Sequence, residues 1–72
     1  MNGVTEQQLD NWFSYHAPNP GSVVLYTRLR DAARVFAQSI LMNTPPGADQ
    51  TAAIRKVREA VMTANAAIAC GG

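Results

Sequence analysis

One cysteine, one histidine and five acidic residues are all that this 72-residue chain offers to the chemistry of enzymes and metal sites. The single cysteine, Cys70, excludes a disulfide within the chain. One cysteine and one histidine cannot close a zinc shell, so no metal is expected. The acids Glu6, Asp10, Asp31, Asp49 and Glu59 form no close pair with a catalytic partner in the sequence, and His16 has no evident nucleophile beside it. No glycine-rich loop could cradle a nucleoside phosphate. No apolar run approaches the roughly 18 residues that a spanning helix needs, and nothing reads as a signal peptide, so no membrane partner is expected. The net charge of +1 is too small for a protein held on duplex nucleic acid by a broad basic surface. Binding without catalysis is therefore the expectation, with no enzyme activity and no cofactor.

What the sequence does hold is helix. The hydrophobic fraction is 47% but the aromatic fraction only 7%, and alanine clusters after Thr51. Small side chains suit close helix packing. Thr5 and Gln8 stand at capping-box spacing, with Leu9, Trp12 and Phe13 following at helical intervals. This predicts a short helix over about 5–15, stopped by Pro18 and Pro20. Asn19 before Pro20 reads as an N-cap with proline at the first helical position. Leu25, Leu29, Ala32, Phe36 and Ile40 then share a helix face, which predicts a long helix over about 20–43 that ends before Pro45 and Pro46. Ile54, Val57, Val61, Ala64 and Ile68 step by three and four through a second long helix, about 48–70, closed by Gly71 and Gly72. A short loop forces the two long helices into an antiparallel hairpin. The expectation is one all-α domain over 1–72, a short N-terminal helix and a long hairpin. A chain of this size has a marginal core of its own, so assembly into a homo-oligomer is also expected.

The segment Phe13-Ser14-Tyr15-His16-Ala17-Pro18 is followed, after a Pro-Gly turn, by Tyr26-Thr27-Arg28-Leu29-Arg30. Ala33 to Ile40 and then Ala60-Val61-Met62-Thr63-Ala64-Asn65-Ala66-Ala67-Ile68-Ala69 complete the order. Over residues 12 to 70 this resembles the bacteriophage anti-CBASS proteins that sequester cyclic oligonucleotides, CBASS being a bacterial anti-phage system signalling through such messengers. The resemblance implies a non-enzymatic sponge, a homohexamer in the cytoplasm of the infected bacterium that binds cyclic dinucleotides such as cyclic GMP–AMP between protomers. It places Tyr15 on a base and Arg30 on a phosphate, with His16 and Pro18 in the same ligand-binding segment. Some members also bind cyclic trinucleotides in a second pocket through an arginine after the Ala-Ile-Ala run. Cys70 stands there in this chain, and a thiol cannot make that charged contact.

The plain physics agrees with these roles. Aromatic side chains stack on bases, and the guanidinium fork matches phosphate oxygens. The bland readings stand beside them. His16 can fix the turn by hydrogen bonds, and Pro18 can simply set it. Trp12, Phe13 and Tyr26 fit a core or an interface, and Arg28, Arg34, Arg55, Lys56 and Arg58 fit a solvated face. Asn65 reads as a buried amide paired to backbone or to a neighbouring subunit. Cys70 reads as an inert thiol in a reducing cytosol. A small helical DNA-binding or structural oligomerisation module is the alternative function.

Overall fold

Two reciprocal caps decide where the first two helices begin. In the computed structural model, which describes residues 3–72, Thr5 caps helix α1 (Glu6–Trp12) and Asn19 caps α2 (Pro20–Asn43). Residues 1 and 2 of the domain expected over 1–72 lie outside the described residues. The Thr5 hydroxyl accepts from the Gln8 amide at 3.2 Å while the Thr5 amide donates to the Gln8 side chain at 2.8 Å. Asn19 and Ser22 do the same with both bonds at 2.9 Å, and Pro20 fills the first turn where no amide hydrogen is needed.

Helix α1 stops at Trp12, three residues short of the expected end near Tyr15. Local side chains compete with the backbone there. The Ser14 hydroxyl donates to the Asp10 carbonyl, and His16 Nε2 donates to the Asn11 carbonyl at 2.6 Å. Those carbonyls would serve the amides of residues 14 and 15 if the helix continued.

Helix α3 (Ala48–Cys70) lacks a side-chain cap at Gly47. Gly47 has φ 158° and ψ −175°, a region open only to glycine. Pro45 and Pro46 have no amide hydrogen to give the end of α2, so side chains cover its carbonyls instead. Asn43 donates to Ser39 O at 2.7 Å, Thr44 to Ile40 O at 2.6 Å and Gln50 to Thr44 O at 3.1 Å. At its far end α3 closes on Gly71 in the left-handed conformation, φ 79°, with the amides of Gly71 and Gly72 both reaching Ala67 O.

The chain is all-α, a short helix followed by an antiparallel hairpin. Helix α1 packs on α3 and not on α2. Its tie is Asn11, whose Nδ2 donates to the Cys70 carbonyl at 2.8 Å. Seven residues cannot hold a helix in water unaided, so this docking matters.

On α3 the predicted stripe of Ile54, Val57, Val61, Ala64 and Ile68 is the packed one, each residue half-buried or better. On α2 the packed face is rotated from the predicted stripe. Ala33, Ala37, Ile40 and Leu29 are half-buried, whereas Leu25, Ala32 and Phe36 are exposed. The alanines let the helices approach, and the bulky Leu25 and Phe36 are left on a flank. Among the described residues Val57 is the one core residue, 8% exposed. The chain exposes 5958 Å², where a compact monomer of this mass exposes about 4,300 Å². Its radius of gyration is 15.5 Å, against about 11 Å for a compact chain of this length.

Candidate functional site

The hairpin seam has two unlike flanks, and a pocket closes it at one end. The pocket, about 300 Å³, lies where three segments meet. Tyr15, His16 and Ala17 come from the turn after α1. Asn19, Ser22 and Tyr26 come from the first two turns of α2, and Ile68 and Ala69 from the last turn of α3. Two phenols, an imidazole, a hydroxyl and an amide make it polar, yet no lysine, arginine or carboxylate lines it. Such a lining suits an uncharged planar group that offers edges to hydrogen-bond and faces to stack on.

Tyr15 is 87% exposed, so its ring is available to a ligand or to another chain. His16 is held. Its Nε2 donates to Asn11 O and stands 3.8 Å from Cys70 Sγ. A carbonyl only accepts, so Nε2 carries the proton in the neutral ring. His16 thus fixes the turn while also lining the pocket. Pro18 does not line it. Cys70 is half-buried, with Sγ 3.8 Å from Asn11 O. The three groups Asn11, His16 and Cys70 lock α1, the turn and the end of α3 together.

Arg30 is elsewhere. It lies in a groove of about 360 Å³ on one flank of the seam, with Arg34, Arg58 and Met62. Its guanidinium reaches the Thr27 hydroxyl at 3.5 Å. Within one chain, Tyr15 and Arg30 therefore line separate cavities. Tyr26 connects them in register: it lines the tyrosine pocket and precedes Arg30 by one turn of α2. The other flank is apolar, where Phe36 and Ala60 border two shallow grooves over Val57. On α3, Asn65 falls between the tyrosine pocket and the arginine groove. Its Oδ1 is buried and has no hydrogen-bond partner among the described residues. A buried acceptor in that condition costs free energy until a donor reaches it.

Sequence reasoning missed Asn11, a lone amide with no motif around it. It read Tyr26 as an interface residue, and only the hairpin register brings it to the pocket. Among the described residues no cluster of three His, Cys, Asp or Glu could hold a metal ion, and no helix is long and apolar enough to cross a membrane.

A short capped helix locked onto a hairpin, with its cavities open at the surface, defines a helical-hairpin binding protein. The chain belongs to the Acb2/Tad1 hairpin domain family, whose model matches residues 5–69. Acb2 is a phage anti-CBASS cyclic nucleotide sponge, so the family resemblance read from the sequence holds, and the family implies a sponge-type binder of cyclic nucleotides. No curated protein and no solved structure gives a significant match.

Proposed function

We propose that this protein binds cyclic oligonucleotide messengers, above all cyclic dinucleotides such as cyclic GMP–AMP, and withholds them from CBASS signalling without cleaving them. The observation that carries the reading is the family match over residues 5–69, nearly the whole chain. The surface chemistry supports it. Tyr15 stacks on a base and Arg30 holds a phosphate, while His16 and Pro18 shape the turn that presents Tyr15. Because Tyr15 and Arg30 line separate cavities of one chain, a ligand bound between protomers can take Tyr15 from one copy and Arg30 from another. A symmetric ligand with two bases and two phosphates fits a two-fold interface of this kind. The large exposed surface and the single core residue among those described support assembly of the chain as a homo-oligomer, in this reading a hexamer in the infected cell. Cys70 supplies no charge for a second, trinucleotide pocket, so cyclic trinucleotides bind weakly or not at all.

Calorimetric titration with a panel of cyclic di- and trinucleotides tests this, followed by denaturation and recovery of the ligand. Tight binding of a dinucleotide, recovered intact, is the expected result. Linear or hydrolysed product would replace the sponge with an enzyme. Salt-sensitive shifts of duplex DNA without any response to the panel would replace it with a DNA-binding module.

A further inference from the structure

Half of the chain's six cations share the groove on one flank of the seam, and none of its five acids does. Arg30 and Arg34 stand one turn apart on α2, and Arg58 comes from α3 across the seam. Two arginines at i and i+4 repel each other, and a third on the facing helix adds to this. The floor between them is apolar, built on Ala33, Val57 and Val61, with Met62 at the edge. Low-polarity walls strengthen each charge's interaction with an anion and equally its repulsion of the other cations. Glu59 shares a neighbouring groove with Arg58 and Met62, but no carboxylate lines this floor, and three arginines around it are arranged for a ligand that carries negative charge. The groove volume of about 360 Å³ lies at the small end of ligand pockets, which suits the backbone of a small phosphodiester better than a whole base-bearing ring.

We propose that Arg34 and Arg58 complete with Arg30 an anion cradle for the phosphodiester groups of the messenger. The proposal rests on the sponge reading for its ligand and on the groove itself for its chemistry. The cradle and the tyrosine pocket divide the work between phosphate and base. They follow one another on the hairpin, about 12 Å apart by helical rise between Ser22–Tyr26 and Arg30–Arg34. The bidentate fork of arginine matters, because one guanidinium can hold two oxygens of one phosphate. The flank carrying Phe36 has no comparable set of cations, Lys56 being the only one that borders its grooves. It is left for contact with another copy.

The test uses the full chain and two probes, 3′,3′-cyclic GMP–AMP by calorimetry and inorganic pyrophosphate by thermal shift. Arg34→Gln and Arg58→Gln should each weaken cyclic GMP–AMP by about tenfold or more, as expected for a lost charge-assisted bond. Arg34→Lys should lose less than Arg34→Gln. Pyrophosphate should stabilise the wild type and Tyr15→Ala alike, and should lose its effect in the double glutamine variant. Circular dichroism and sedimentation check that the variants keep helix and assembly. Glutamine variants that bind both probes as the wild type does would overturn the cradle and leave the sponge reading standing. Variants that dissociate while binding is unaltered would overturn it too, assigning these arginines to subunit contact. A wild type that binds pyrophosphate through Arg34 and Arg58 but binds no cyclic nucleotide would support the cradle and sink the sponge.

Discussion

Replacing Phe36 by alanine should cut the protein's self-association while leaving its helices in place. Phe36 is 59% exposed and borders both grooves of the apolar flank. A phenylalanine side chain presents about 200 Å², so about 120 Å² of it remains for a second copy to cover. At about 25 cal/mol per Å² that burial contributes roughly 3 kcal/mol, of which alanine retains about a third. The loss of about 2 kcal/mol per copy weakens association about thirtyfold, and about a thousandfold where two copies of Phe36 meet across a two-fold contact. The part of Phe36 already covered within the chain also contributes, so a single melting curve cannot separate the two effects. A concentration series can. An assembled wild type melts at a midpoint that rises with protein concentration, because folding and association are linked. Phe36→Ala should flatten that slope and sediment more slowly at the same concentration. A wild type that sediments as a monomer and melts at one temperature over about a hundredfold dilution would refute the reasoning, since the flank would then need no cover.

Three further outcomes follow from the site and its supports. Tyr15→Ala should weaken cyclic dinucleotide binding by about five- to a hundredfold, the worth of one stacked base, with unchanged far-ultraviolet dichroism, whereas Tyr15→Phe should bind nearly as well. Asn19→Ala removes the acceptor for the Ser22 amide and should destabilise the chain by about 1 kcal/mol in thermal melts; Asn19→Asp should preserve stability. Asn11→Ala frees the Cys70 carbonyl and loosens α1, so alkylation of Cys70 by a thiol reagent should speed up; an unchanged rate would show that α1 stays docked without the amide.

Much of the hairpin was legible because its signals are local. Thr5 with Gln8, Asn19 with Pro20, and the two prolines before Gly47 each fix a helix boundary through atoms a few residues apart. The stripe on α3 was legible because its valines and isoleucines are the only large residues on that face. The stripe on α2 misled. Periodicity weights Leu25 and Phe36 for their bulk, whereas the hairpin packs on Ala33 and Ala37 because they are small. The end of α1 was missed for a similar reason: Ser14 and His16 compete for helix carbonyls, and nothing in a hydrophobic pattern records that. Tyr15 and Arg30 could be named from the resemblance, but their placement in separate cavities depends on how the turn after α1 returns to the end of α3. Asn11, which governs that return, carries no pattern at all.

The lock between Asn11, His16 and Cys70 has a practical consequence. It holds Trp12, the only tryptophan of the chain, three residues from Tyr15 and still 45% exposed. The indole is thus carried at the locked end of α1 while open to solvent, the condition in which emission colour and intensity respond to a new neighbour. The protein carries its own fluorophore three residues before Tyr15, in the segment that leads into the pocket. A titration of intrinsic fluorescence shows whether a ligand reaches that neighbourhood, without a label and at the dilutions where calorimetry runs out of heat.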